Sequence, residues 1–162
     1  MNVKNELKEL IILEGFSGIS FLILYMIWIR KFQLSFSMVA FYPILCCSII
    51  LIQGSIFWGI TLWGINGRAL NMEPIANIYR LFRIIDGGIL IAYIVVLLGA
   101  EVTEKRLIFG IAVYIFSILE YINYYYVRLS YPLFEFMRRL VKVNFSKSRI
   151  ARLLENSARL RR

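Results

Sequence analysis

The chain of 162 residues has no histidine, only three prolines and two cysteines, and about half as many acidic as basic residues. Without an imidazole there is no Ser-His-Asp triad, no H-E-x-x-H metalloprotease site and no histidine general base. The two cysteines, Cys46 and Cys47, are adjacent, a spacing that rarely meets disulfide geometry, and no histidine completes a zinc or haem site. They read as small packing residues, and neither a metal nor a cofactor is expected. A phosphate-cradling G-x-x-x-x-G-K loop is missing as well, which removes further enzyme classes. Residue 2 is Asn2 where myristoylation needs glycine, and no cysteine near the C-terminus is placed for prenylation. The N-terminus carries no A-x-A cleavage site after its apolar region, so it reads as an uncleaved first span.

What is present is apolar. Hydrophobic residues make up 60% of the chain and the mean hydropathy is +0.71, against about 45–50% apolar usage in soluble domains. Four runs approach or exceed the about 20 helical residues that cross a hydrocarbon core about 30 Å thick. They cover residues 10–29, 38–65, 84–100 and 107–127. The third is short alone and extends back through "IANIYRLFR" to Pro74, a residue suited to a first helical turn. No large polar shell exists to surround four such helices in water, and alternating-hydrophobicity strands are absent. The expected fold is therefore an all-α integral membrane protein, a four-transmembrane-helix bundle over residues 1–131, followed by C-terminal amphipathic basic helices over residues 132–162.

The cations set an orientation. With both termini in the cytoplasm, fifteen of the nineteen Lys and Arg residues fall inside, and only Arg30, Lys31, Lys105 and Arg106 fall outside. Abundant Ile, Tyr, Phe and Lys/Arg without His matches the composition of a bacterial inner-membrane protein, which is the expected location.

Three acids interrupt the spans: Glu14, Asp86 and Glu120. Such residues are costly in lipid, about 2.5–3.5 kcal/mol for an aspartate at mid-helix, and usually face the bundle interior or a wet cavity. Asn123 and Tyr124 follow Glu120 on the same helical face, and Gln53 lies near the middle of the second span. Two readings stay open for this polar cluster. Either the acids pair with Arg80, Arg83 or Arg128 and specify assembly, or they line a pocket or pathway for a cation, proton or headgroup. The tyrosines Tyr121, Tyr124, Tyr125, Tyr126 and Tyr131 read mostly as an interfacial aromatic belt. Glycine follows an acid at Gly15 and Gly87, and Ser55/Gly59 and Gly88/Ala92 have small-xxx-small spacing, both patterns suited to close helix approach.

From Pro132 onward, nine basic residues face two acids. In "PLFEFMRRLVKVNF", Leu133, Phe136, Met137 and Leu140 share one helical face opposite Glu135, Arg138, Arg139 and Lys142. After Lys147 and a cap at Ser146 or Ser148, Ile150, Leu153, Leu154 and Leu160 oppose Arg149, Arg152 and Arg159. Such a tail binds anionic headgroups of the bilayer or docks on a protein partner, with homo-oligomerisation a further option. Nucleic acid is disfavoured, since only phosphate attraction would support it.

The leading expectation is a non-enzymatic small membrane protein that anchors or regulates a cytoplasmic partner complex. An oligomeric channel, transporter or membrane-perturbing effector is the alternative, and an intramembrane lipid-modifying enzyme the third.

Overall fold

A computed structural model describes residues 3–67, 70–99, 103–127 and 147–159. The described residues are all-helical, and four of their five helices are long and apolar enough to cross a membrane. These are α1 (Val3–Lys31), α2 (Met38–Ile65), α3 (Met72–Leu98) and α4 (Glu104–Tyr125), with a shorter α5 (Arg149–Arg159) near the C-terminus. The second span keeps the bounds expected from hydropathy, and the third begins at Met72, two residues before Pro74. Proline is harmless there because first-turn amides have no intrahelical acceptor. The side chain of Asn71 accepts the Glu73 N–H at 3.1 Å and so caps the same turn. At the other end of the preceding loop, Gly67 adopts φ +88 just after α2, and its N–H bonds the Gly64 carbonyl at 3.2 Å.

The chain divides into two compact units, Met1–Leu70 with Gly88–Ile118 and Asn71–Gly87 with Leu119–Arg162. Helices α3 and α4 each contribute a segment to both.

In the first unit, α1 and α2 meet over small residues. Gly18 lies against the Ser48 carbonyl and the Ile52 side chain, each 3.1 Å from where a β-carbon would stand, and Gly15 faces Ser55. That contact is tied by the Ser55 hydroxyl, which donates to the Ile11 carbonyl at 2.8 Å. Glycine thus serves close approach at Gly15, as its neighbour Glu14 implied. Gly59 and Gly88, by contrast, face open space, so the two small-xxx-small pairs lack the tight contact at those positions.

Pro43 lies inside α2, where it has no N–H to give to the carbonyl four residues earlier, that of Val39. The orphaned acceptor is recovered from another helix: the fully buried Tyr93 of α3 donates its hydroxyl to the Val39 carbonyl at 2.7 Å. Tyr93 is held there by ring contacts with Tyr42 and Tyr114, at centroid separations of 5.8 and 4.6 Å. Ser117 of α4 shares its hydroxyl proton between the Val113 carbonyl at 2.9 Å and the Pro43 carbonyl at 3.1 Å, so the segment around Pro43 is bonded by two neighbouring helices. Tyr93→Phe is expected to destabilise the protein by about 1–2 kcal/mol in detergent unfolding titrations, because a buried carbonyl is left unpaired. In a Pro43→Ala background, which restores the helical N–H, the same substitution should cost much less. Equal costs in both backgrounds would refute this coupling.

The outer faces of these helices are apolar. On α1, Leu13, Phe16, Ile23 and Leu24 are exposed, and on α3 so are Ile91, Val95 and Leu98. A monomer in water does not tolerate contiguous apolar faces of this length, whereas hydrocarbon solvates them without cost.

Candidate functional site

The first unit holds Glu14 and Gln53. Glu14 is half-buried on α1 and accepts the indole N–H of Trp58 from α2 at 2.9 Å, and Gln53 is half-buried on α2. The other members of the polar cluster belong to the second unit. Asp86 of α3 is only 2% exposed, and its Oδ2 accepts the hydroxyl of Tyr125 at 2.8 Å. On α4 the Asn123 amide donates to Glu120 at 3.4 Å, within one helical face. Tyr124 is buried beside Tyr125, and Tyr126 is exposed. The aromatic belt expected here is thus partly turned inward: Tyr125 serves a buried carboxyl group, and Tyr121 donates to the Arg83 carbonyl at 2.9 Å.

The end of α4 is joined to the start of α5. Val127 and Lys147 form an antiparallel bridge, and the Ser148 N–H bonds the Tyr126 carbonyl at 3.1 Å. The Ser148 hydroxyl donates to the Tyr124 carbonyl and accepts the Ala151 N–H at 3.0 Å. This is the N-cap expected at Ser146 or Ser148, and it is Ser148 that fills it. One side of α5 is then covered by the chain itself, with Ile150 2% and Leu154 6% exposed. Ser157, also buried, accepts a bond from the Arg80 guanidinium at 3.0 Å.

Arg149, Arg152 and Arg159 remain exposed on the opposite side. Lys147 and Arg159 both grip Glu155, at 2.6 and 3.0 Å. The hydrogen bond and charge of Lys147, with those of Arg159, hold the Glu155 carboxyl below its ordinary pKa. Arg138, Arg139 and Lys142 lie outside the described residues.

Between α5, the first half of α3 and the end of α4 is a cavity of about 480 Å³, wholly within the second unit. Its walls are Arg80, Arg83, Lys147 and Glu155, the rings of Tyr125 and Tyr126, and an apolar patch of Val127, Ala151, Leu154 and Ala158. Arg80 is engaged at Asn77 and Ser157. The Arg83 guanidinium makes no hydrogen bond or ion pair among the described residues. In the sequence Arg80 and Arg83 count among the cytoplasmic cations and as counter-ions for the buried acids, not as walls of a pocket. Their spacing of three residues, immediately before the apolar run from Ile84, was the available signal that both cations share one face at the edge of a span.

No family model, curated protein or solved structure matches this chain. Its functional reading therefore rests on its own residues and their arrangement.

Proposed function

We propose that this chain is a non-enzymatic, multi-pass membrane protein that anchors or regulates a cytoplasmic partner complex at a bacterial inner membrane. In this reading both termini are cytoplasmic and the partner meets the basic side of α5. The observation that carries it is the burial of Ile150 and Leu154 within the chain itself. A helix whose apolar side is already used has little left to sink into lipid, so its outward row of Arg149, Arg152 and Arg159 is held in a fixed orientation for an acidic protein surface. The bilayer's anionic headgroups attract the same cations and bring the partner and the membrane together. The channel alternative draws less support, since Glu14 is bonded to Trp58 and Asp86 to Tyr125.

A photoreactive residue replacing the exposed Asn156, beside this arginine row, tests the proposal in intact cells. The expected product is one defined adduct with a cytoplasmic protein, abolished by Arg149→Glu/Arg152→Glu at unchanged membrane abundance. Adducts confined to lipid, or insensitive to charge reversal, would remove partner anchoring from the account.

A further inference from the structure

The cavity of the second unit is more than a packing defect. Three cations, Arg80, Arg83 and Lys147, face one carboxylate, Glu155, which is already shared between Lys147 and Arg159. The lining therefore carries an excess of positive charge, and the Arg83 guanidinium has its donors unused among the described residues. Guanidinium groups present planar pairs of N–H donors matched to phosphate oxygens, and a lysine adds a point charge. At about 480 Å³ the space is far larger than a single ion requires and falls in the range of pockets for small organic ligands.

Its place along the chain narrows the ligand. Arg80 and Arg83 immediately precede the apolar run that starts at Ile84, and Tyr125 and Tyr126 stand at the end of α4. Both mark the level at which a span leaves hydrocarbon and enters the headgroup region, where tyrosine rings are at home. Tyr126 is exposed at this rim, and the wall formed by Val127 and Leu154 is apolar. A cationic floor beside an apolar wall at that depth suits a molecule with a phosphate at one end and hydrocarbon at the other.

We infer that this cavity binds a phosphate-bearing anion through Arg80, Arg83 and Lys147, with the headgroup of an anionic phospholipid as the favoured source. The site does not depend on partner anchoring. It concerns the inward side of α5, whereas the partner reading concerns the outward side.

The full chain purified in mild detergent is mixed with phosphatidylglycerol or phosphatidylcholine and examined by native mass spectrometry. In parallel, inorganic phosphate and glycerol phosphate are titrated against thermal unfolding. Retention of phosphatidylglycerol over phosphatidylcholine, reduced about tenfold by Arg83→Gln, assigns the site to lipid. Because the Arg83 guanidinium makes no hydrogen bond or ion pair among the described residues, this variant is expected to fold normally. Lys147→Gln provides a second reading of the same cavity, and Lys105→Gln, in the loop-proximal start of α4, controls for net charge and should leave retention unchanged. Stabilisation by inorganic or glycerol phosphate that vanishes with Arg83→Gln, without selective lipid retention, supports the same site with a soluble phosphate as its source. If neither probe binds, or if binding is the same in Arg83→Gln, Lys147→Gln and Lys105→Gln, the inference is overturned.

Discussion

Gly110→Leu should be among the most damaging single substitutions in the membrane-spanning helices, lowering stability by about 3 kcal/mol or more in detergent unfolding titrations. Gly110 of α4 is buried directly against the Val39 carbonyl of α2, and a β-carbon there would stand 2.7 Å from the Tyr93 hydroxyl oxygen. Neither obstacle is a flexible side-chain end that can swing aside. One is backbone, and the other is the hydroxyl that satisfies the carbonyl left open by Pro43. A side chain at Gly110 must push α4 away from α2 or break that bond, and either route leaves a buried polar group unpaired. Gly110→Ala should give a smaller loss in the same direction. At Gly88, which faces open space, the same Ala substitution should be close to neutral or slightly stabilising. The same effect at both glycines, in particular a gain at Gly110 as helix propensity alone would give, would mean that the contact at Val39 does not govern this position.

Tyr125→Phe is expected to cost about 2 kcal/mol, the loss of a hydrogen bond to a buried carboxyl group with little change in shape. The Tyr125 hydroxyl reaches Asp86 at 2.8 Å, and both residues are almost fully buried. In Tyr125→Phe the cavity beside this pair should loosen, with faster hydrogen exchange in α5 and the end of α4. Asp86→Asn keeps an acceptor for the tyrosine and should be milder than Asp86→Leu. A double-mutant cycle between Tyr125→Phe and Asp86→Leu measures the bond, and a coupling energy near zero would remove the pair from the account.

The spans were legible because hydropathy acts along the chain: α2 begins and ends where the apolar run does, and α3 reaches back across Arg80 and Arg83 as the lack of a helix break implied. That Glu120 and Asn123 share one helical face was legible for a similar reason, though not that they bond each other. What escaped was long-range. Pro43 in an apolar run gives no sign that a tyrosine fifty residues later will complete its missing hydrogen bond. Gly110 has no small partner at helical spacing, because its neighbour is a carbonyl on another helix and not a second small residue. The cavity likewise depends on α5 returning to the first half of α3, and only the Ser148 cap and the apolar pair Ile150 and Leu154 foreshadowed a packed helix. The tail's apolar side suggested lipid or a partner as its cover; in α5 that cover comes from the chain itself.

The proposed partner role and phosphate cavity both require α5 to lie on the cytoplasmic side of a chain whose four long apolar helices each cross the bilayer. Single cysteines at Lys4, Gln33, Thr103 and Asn156, introduced with Cys46 and Cys47 replaced by alanine, test that placement by reaction with a membrane-impermeant maleimide. The account predicts labelling of Gln33→Cys and Thr103→Cys in intact cells, with Lys4→Cys and Asn156→Cys reacting only after permeabilisation. Labelling of Lys4→Cys or Asn156→Cys from outside intact cells would contradict it.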